Sequence, residues 1–453
     1  MAELPQNWIL ANLNELCTIT TGKKDANAAK ENGEYKFFTC AMEPLRINTY
    51  IIDDEAIILP GNGANVGMVL YYNGKFDAYQ RTYVLYKNKI NTKYLYYYLK
   101  CYWATYNKDK QYGSATNYIR LGNLTNFRVK VPPLNEQKRI VEKLDKIIRI
   151  VDDVNTRLDK IPTALKRARQ SILNQAITGE LTKDWREIHH NYNHADDLIR
   201  DIQDNRKKQY EVDCKKAKFT GNKTPKKLFL PEYKHLISSV QNWGKCYLAN
   251  IFSVETGSTP LRSNDLYYKD GNIPWIKTGE VQNCEIYRAE EYITEKALKE
   301  TNVKLFPVNT LLIAMYGEGK TRGQVGRMKI NATTNQACAA LVNSNIDYVL
   351  NEYVFYYCLS KYNELRRLAV GGNQPNLNLE KIKMWEIDIP PLEEQTEIVR
   401  RVKLAFEKLD KIESRYRKAK EYSDKLTQSI LNKAFRGELI PQDPNDKPVE
   451  IEV

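Results

Sequence analysis

The sequence predicts an α/β protein with two similar globular domains separated by an antiparallel pair of long coiled-coil helices, with a pseudo-twofold axis relating the halves. Three observations lead to this prediction. Two motifs recur at one constant offset, an apolar heptad joins them in both copies, and the segments that precede them repeat more loosely.

The internal repeat is clearest where the predicted helices begin and end. VPPLNEQKRIV at 131–141 returns as IPPLEEQTEIV at 389–399, and SILNQAITGELT at 171–182 returns as SILNKAFRGELI at 429–440. Both pairs lie 258 residues apart (131 to 389, and 171 to 429). Because the offset is constant, the segments between the motifs have equal length.

Apolar residues between the motifs alternate in steps of four and three, which is the pattern of a helix-pair seam. A helix of about 40 residues extends ~60 Å, too long to stand alone on a surface, so the two helices are expected to pack together. In a parallel pair the linker would have to run back along the whole first helix, whereas an antiparallel pair needs no such return. Pro162 should kink or interrupt the first helix near Lys160–Ile161. The predicted seam comprises Ile140, Leu144, Ile147, Val151, Val154, Leu158, Ile398, Val402, Leu409, Ile412, Leu426 and Ile430.

The repeat also sets the expected domain boundaries. Proline pairs suit the entry to each helix, and the Gln-Asn-Trp starts mark the two globular domains. The predicted order is a first domain at 1–134, a central helix at 135–180, a linker with a helical segment at 181–238, a second domain at 239–392, a C-terminal helix at 393–440 and a tail at 441–453.

Composition narrows the class of protein. The formal charge is +13, from 69 basic and 56 acidic residues, which suits a polyanionic partner, although solubility alone could explain it. Much of the excess lies in 206–227, interpreted as a solvated linker. Eight scattered cysteines without a C-x-x-C pair favour free thiols in the cytoplasm. No apolar run reaches the ~20 residues of a membrane span.

The stretch LLIAMYGEGKTRGQVGRMKI at 311–330 resembles part of a phosphate-binding loop. The motif fails because Ala314 replaces its first glycine, and because GQVGRMKI favours a strand where a helix is required. The corresponding loop in the first half, GNGANVG at 61–67, has no Lys-Thr pair. Both stretches therefore predict glycine hairpins between strands. A nucleotide-binding enzyme using a degenerate loop at 314–321 stays as an alternative.

Other chemistry receives little support from the residues. The run HHNYNH at 189–194 lacks the glutamate of a zinc-protease motif and is interpreted as polar linker. The Pro-Pro pairs lack the neighbouring Asn or Asp and aromatic residue of an amino-methyltransferase. We predict no catalytic residue, no metal and no cofactor on this chain.

P-P-L-x-E-Q-x-x-I-V opening a long helix, S-I-L-x-x-A-x-x-G-x-L closing it, the duplication and the Gln-Asn-Trp starts together resemble the specificity subunit of type I restriction–modification systems. LTKDWRE at 181–187 is similar to that family's linker. The resemblance covers essentially the whole chain.

The resemblance implies that each globular domain is a target-recognition domain for one half of a bipartite double-stranded DNA site. It implies that modification (methyltransferase) subunits, expected to be two, use S-adenosylmethionine, and that restriction subunits use ATP. A coiled-coil scaffold without DNA function is the second alternative. Candidate DNA contacts are Lys23, Lys24, Asn62, Asn65, Gln80, Arg81, Tyr112, Ser114, Asn117, Lys277, Lys320, Arg322, Gln324, Arg327, Gln336, Gln374 and Asn376.

Overall fold

The structure, a computed structural model, describes residues 4–113, 117–189, 193–221, 223–233, 236–317, 319–343, 348–368 and 377–450. The chain divides into two compact units: unit 1 contains residues 1–161 and 414–453, and unit 2 contains residues 162–413. Within the described residues, no helix combines the length and the apolar character needed to cross a bilayer.

Unit 1 contains a globular domain followed by a long helix. Its elements are β1 (Ile9–Asn12), α1 (Leu13–Leu16), β2 (Thr18–Thr21), β3 (Tyr35–Phe38), β4 (Leu45–Ile47), β5 (Ile52–Pro60), β6 (Leu70–Ala78), β7 (Thr82–Tyr86), α2 (Thr92–Asn107), α3 (Leu121–Thr125), β8 (Arg128–Val131) and α4 (Leu134–Leu158).

Unit 2 repeats this plan with additional strands. Its elements are α5 (Ile161–Ile177), α6 (Lys183–Ile188), α7 (Ala195–Thr220), β9 (Leu236–Ile237), β10 (Gly244–Tyr247), α8 (Leu248–Ile251), β11 (Ser253–Thr256), β12 (Ile273–Ile276), β13 (Cys284–Ile286), β14 (Glu291–Ile293), α9 (Glu295–Glu300), β15 (Leu311–Ala314), β16 (Val325–Met328), β17 (Thr333–Thr334), β18 (Cys338–Val342), α10 (Tyr348–Ser360), α11 (Tyr362–Leu368), α12 (Leu379–Lys383), β19 (Glu386–Ile389) and α13 (Leu392–Ala434). The first part of α13 belongs to unit 2 and its last part to unit 1.

The main sheets of the two units share the order of five strands, to which unit 1 adds β4 at one edge. In unit 1 the main sheet has the order β2-β7-β5-β6-β3-β4, and in unit 2 it has the order β11-β18-β15-β16-β13. In both, a parallel pair (β3 with β6, β13 with β16) adjoins an antiparallel hairpin. A separate antiparallel pair, β1 with β8 or β10 with β19, leads into the long helix. The looser repeat of the globular domains is therefore a repeat of fold.

Within unit 1, α4 runs antiparallel to the last part of α13. Lys420 Nζ donates to Asp159 Oδ1 at 2.9 Å just beyond the end of α4. At the other end, Ile140 and Leu144 share a buried cluster with Leu431 and neighbouring residues of α13. The start of one helix thus lies beside the end of the other.

Within unit 2, α5 and the first part of α13 are antiparallel too. Arg169 of α5 binds Asp410 at 2.6 Å and Glu413 at 3.1 Å. Beyond the end of α5, Asp184 binds Arg401 at 2.6 Å. The predicted antiparallel pairing is confirmed inside each unit.

The predicted interruption of the first helix is confirmed. α4 ends at Leu158, and α5 starts at Ile161 with Pro162 in its first turn. Proline is compatible with a first turn because the N–H that it lacks would have no partner inside the helix there. The expected single helix at 135–180 is therefore two helices.

Three residues of the predicted seam are wrong. Val154, Ile412 and Leu426 are 42%, 45% and 50% exposed, and Ile147 is only half-buried beside the buried Ile148. A helix turns every 3.6 residues, so a strict 3.5-residue ladder drifts off the buried stripe over several turns. Ile140, Leu144, Val151, Ile398 and Val402 are buried, and Leu158, Leu409 and Ile430 are half-buried.

The base of each long helix explains two of the repeated motifs. Trp8 Nε1 donates to Glu136 at 3.1 Å, and Trp243 Nε1 donates to Glu394 at 2.8 Å. In both copies the next glutamine holds a proline carbonyl in front of the helix; the Gln137–Pro132 and Gln395–Pro390 bonds are both 2.8 Å. The Trp and Glu-Gln residues therefore fix the helix to the domain that precedes it.

Candidate nucleic-acid interface

Each unit carries a glycine-rich hairpin in its main sheet. Residues 61–69 connect β5 to β6, and residues 315–324 connect β15 to β16, with both strand pairs antiparallel. A strand follows the Gly-Lys-Thr sequence, so no helix N-terminus is available there to bind nucleotide phosphates. The predicted hairpins are confirmed, and the nucleotide-binding alternative lacks the helix that it requires.

The hairpin of unit 1 is held by backbone and amide contacts. Gly63 N donates to Asn117 O at 2.8 Å, and Gly61 N donates to Arg81 O at 2.9 Å. The Asn65 side chain donates to Cys40 O at 2.7 Å. Asn65 and Asn117 thus hold the loop in shape, Asn65 through its amide and Asn117 through its backbone carbonyl.

The hairpin of unit 2 is held by α11, a helix that the sequence did not connect to it. Tyr362 OH donates to Lys320 O at 2.5 Å, and Arg366 Nη2 donates to Gly319 O at 2.8 Å. A Cβ at Gly323 would meet the Arg366 side chain at 3.1 Å, so the loop lies close against α11. Two carbonyls of the loop are fixed in this way, while the exposed Lys320 side chain makes no hydrogen bond or ion pair with the described residues.

The other candidates of unit 1 fall into two groups. Lys24 forms an ion pair with the buried Asp77 at 3.0 Å, and Gln80 donates to Asp25 at 3.2 Å, so both side chains already have partners. By contrast, none of the bonds among the described residues involves the side chain of Lys23, Asn62 or Arg81, which are exposed or half-exposed.

Arg120 is a further candidate that the sequence analysis did not include. Its guanidinium lies over the Tyr112 ring at 4.3 Å and donates to Tyr118 OH at 3.1 Å. The bond to Tyr118 raises the pKa of Arg120, which is exposed, so the side chain stays charged. Tyr118 also forms a bridge to Asn62 of the hairpin. The Tyr-x-Arg sequence at 118–120, next to a glycine- and asparagine-rich loop, was the available signal.

In unit 2, several candidates have internal partners. Lys277 pairs with Glu291 at 2.8 Å and with Glu290 at 3.4 Å, and the bond to Glu291 raises the pKa of Lys277. Gln336 accepts from Thr259 at 2.5 Å. Gln324 and Arg322 are half-exposed on the hairpin itself.

Arg327 was wrongly included among the DNA contacts. It is 6% exposed on β16, with Glu285 in ion-pair contact and Glu352 at 3.2 Å. These two carboxylates keep the pKa of Arg327 above its usual value although burial alone would lower it. Arg327 therefore forms ion pairs in the interior of the unit, and its side chain is not accessible to DNA.

Three candidates, Ser114, Gln374 and Asn376, lie outside the described residues. Two of the four histidines are described. His189 stacks on Trp185 with ring centres 4.4 Å apart, and His194 caps α7 by accepting from Asp196 N at 3.1 Å.

The sequence matches a known family in two blocks. The family is described as type I restriction modification DNA specificity domain, and it matches residues 5–163 and 241–420. The chain belongs to this family. The two matched blocks contain the two hairpin-bearing globular domains, together with α4 and the first part of α13.

Curated relatives agree with this assignment. The chain is 32% identical over 448 residues to the type I restriction enzyme EcoDI specificity subunit of Escherichia coli, covering 97% of this chain and 90% of that protein. It is 28% identical to the EcoBI specificity subunit of the same organism, covering 79% of this chain and 67% of that protein.

Solved structures show the same fold. A chain from work on complex assembly and conformational transition of the type I R-M system has a TM-score of 0.65 at 16% identity, covering 97% of this chain and 100% of its own length. The HsdS subunit from Thermoanaerobacter tengcongensis has a TM-score of 0.52 at 15% identity, with coverage of 96% and 98%.

Proposed function

We propose that this chain is the non-catalytic DNA-specificity subunit of a type I restriction–modification complex. Each unit binds one half of a bipartite DNA target, and the paired helices set the spacer between the halves. The observation that supports this most is the duplication of one sheet topology with a hairpin whose outward side chains remain available, Asn62 in unit 1 and Lys320 in unit 2. Arginine, lysine and amide side chains suit phosphates and base edges.

The chemistry of the complex is assigned to other subunits. Modification subunits, two per complex, would dock on the helices and transfer methyl groups from S-adenosylmethionine, and restriction subunits would use ATP. This chain would act with them in the cytoplasm. Its own task is positioning, because phosphate contacts fix the register on DNA and base contacts select the sequence.

Methylome sequencing of cells expressing this chain with its modification subunit tests the proposal. The expected result is a split motif of two short sequences around a fixed spacer, with adenine methylated on both strands. A continuous motif would contradict the two-reader arrangement. Methylation that persists unchanged without this chain would contradict its role in specificity.

Matched variants in the two hairpins test which unit binds which half. Asn62→Ala should relax the preference in one half of the motif, and Gln324→Ala should relax it in the other half. A lost base contact costs about 1–3 kcal/mol of discrimination. If both variants relax the same half, the assignment of one half-site to each unit is wrong.

A further inference from the structure

The second half of α7 and the segment after it form a basic arm, defined here as residues 207–227. The arm contains eight lysines and no arginine, against Glu211 and Asp213, and so carries a formal charge of +6 out of +13 for the whole chain. Nearly half of the net positive charge is therefore concentrated in 21 residues, far from even distribution over a surface.

The arm starts from a rigid base. In the first half of α7, Ile199 and Ile202 are buried in the core of unit 2. Arg206 Nη1 donates to Ala249 O at 2.5 Å, and burial lowers the pKa of Arg206 to about 10. This anchored arginine directly precedes the first lysine of the arm, so the charges are carried by a helix that is fixed at its base.

The lysines of the arm are available to a partner. All eight are exposed, and Lys207 is paired with Asp204 at 3.1 Å. Among the described residues, the other seven have no carboxylate in ion-pair contact. Asp213, one of the two acids, instead accepts from Gln209 at 2.9 Å.

Lysines predominate on the outward side of the helix, although Glu211 lies there too, between Lys208 and Lys215. Lys208 and Lys215 are seven residues apart, so they project from the same face, with Lys216 beside them. The opposite face is covered, since Ala217 is buried and Cys214 is half-buried. The outward face therefore offers three lysines, with one carboxylate among them, over a length of about 10 Å.

Phe219 lies on the same outward face and is 94% exposed. The face is otherwise dominated by charge, and it has lysine where bidentate recognition would call for arginine. Lysine suits phosphates that are contacted as point charges, whatever the base sequence.

We propose that the basic arm is a second DNA-binding site, which contacts the phosphate backbone independently of sequence. This inference rests on the proposed function, because it takes DNA as the polyanion that the chain binds. The hairpins would select the target, and the arm would supply electrostatic affinity for any duplex. A protein that neutralises phosphates releases counterions, so this contribution must weaken with salt.

The test uses the full chain assembled with its modification subunit and two unmethylated duplexes of equal length. One duplex contains the motif that methylome sequencing identifies, and the other has a scrambled sequence. The arm variant is Lys208→Gln/Lys215→Gln/Lys216→Gln. The control variant, Lys183→Gln/Lys269→Gln/Lys299→Gln, removes the same charge from exposed lysines elsewhere in unit 2. Glutamine and lysine have similar helix propensity, so α7 should persist, which circular dichroism checks.

The arm variant should reduce the slope of log affinity against log salt by about 3 on both duplexes, at ~0.9 per phosphate contact. The ratio of wild-type affinity to variant affinity should grow about 40-fold as salt falls from ~200 to ~50 mM, and the preference between the two duplexes should stay unchanged. The control should shift the slope by less than ~1.

An unchanged slope in the arm variant would overturn the proposal, as would a slope change confined to the motif duplex. Loss of the modification subunit from the complex with an unchanged slope would also overturn it, and would assign the arm to a protein partner. The proposed function is judged separately: it fails if the wild-type complex shows no preference for the motif duplex, whatever the arm variant does.

Discussion

The bases of the two long helices have the same hydrogen bonds but differ in how the buried glutamate is compensated. Glu136 and Glu394 each accept from a tryptophan indole at the start of the helix. Glu394 also accepts from Thr182 at 2.6 Å and from Arg186 at 2.5 Å. Among the described residues, Glu136 has no lysine or arginine in ion-pair contact, and burial raises its pKa.

The source of the difference is the segment that follows each helix end. After α5, Gly179 adopts a left-handed conformation (φ 74°), and the chain continues into α6, which supplies Arg186. After α13, Gly437 turns in the same way (φ 77°), but the described part of the tail that follows does not reach Glu136 with a cation. It binds α4 about one turn after Glu136, where Asp446 pairs with Arg139 at 2.6 Å. Both copies of the repeat therefore keep the Trp–Glu hydrogen bond. The ion pairs near the two glutamates differ, because they are formed by segments that are not part of the repeat.

The largest expected effect is on the helix pair, where buried and exposed seam positions can be compared directly. Leu144→Asp would place an unpaired charge at a fully buried site in unit 1 and should lower the free energy of unfolding by about 3–5 kcal/mol. Urea denaturation of the full chain measures this loss.

Val154 provides the matched control on the same helix. Because its side chain is largely exposed, Val154→Asp should change the free energy of unfolding by less than about 1 kcal/mol. Ile147→Asp should fall between the two, since Ile147 is half-buried. Equal losses at 144 and 154 would mean that the helices do not pack as described.

The next largest effect separates the two helix bases. Glu394→Gln keeps an acceptor for Trp243 but leaves Arg186 without its carboxylate, and should cost about 2–4 kcal/mol, measured by urea denaturation. Glu136→Gln removes a buried charge that has no cationic partner among the described residues, and it should change stability by about 1 kcal/mol or less. Equal costs would show that the compensation of the two glutamates does not differ.

A double variant checks that the loss in unit 2 comes from the ion pair. Arg186→Gln/Glu394→Gln should cost less than the sum of the two single variants, because removing both partners leaves no buried charge uncompensated. Additive costs would assign the effect of each residue to other contacts.

The dependence of stability on pH should have opposite signs in the two halves. The raised pKa of Glu136 means that the folded state binds this proton more tightly than the unfolded chain does. The resulting contribution to stability is present below the pKa of the unfolded state and is lost as pH rises through the pKa of the folded state. In unit 2, Arg400 and Arg401 lower the pKa of Glu397 to about 2. Its contribution to stability is therefore present above the ordinary glutamate pKa of 4.5 and is lost as pH falls towards 2.

Denaturation at several pH values between about 2 and 7 tests these signs in single variants. The free energy of unfolding of Glu136→Gln, relative to wild type, should increase as pH rises. That of Glu397→Gln, relative to wild type, should decrease over the same range. Parallel profiles for the two variants would contradict the contrast.

The sequence predicted the repeated elements well because they depend on local patterns. The heptad, the glycine hairpins and the break at Pro162 follow from side-chain periodicity and backbone chemistry within one segment. It could not predict that Arg327 pairs with Glu285 and Glu352, since both carboxylates are distant in sequence and only the fold brings them together. Arg120 is different, because its partners Tyr112 and Tyr118 are close in sequence and the pattern at 118–120 could have indicated it.

The hairpins allow a finer comparison at the level of single DNA contacts. Lys320→Ala should weaken binding to any duplex about fivefold near physiological salt and reduce the salt slope by about 1, with the preferred motif unchanged. Asn65→Ala, the contrasting variant in unit 1, removes an amide that supports the loop from inside and should leave the salt slope as it is. An unchanged slope for Lys320→Ala rejects its contact with phosphate.

The smallest expected effect concerns the support of the unit 2 hairpin by α11. Tyr362→Phe removes the hydroxyl that binds Lys320 O, a bond worth about 0.5–1.5 kcal/mol, but it leaves the Lys320 charge in place. Affinity for DNA should therefore fall by two- to threefold, roughly what half a kcal/mol gives, while the salt slope stays as in wild type. Adding Tyr362→Phe to the Lys320→Ala variant should lower the affinity little further, because the loop would then have no lysine to position. An unchanged affinity would contradict the support of this hairpin by α11, whereas a slope lowered as much as in Lys320→Ala would mean that Lys320 loses its phosphate contact altogether without the hydroxyl.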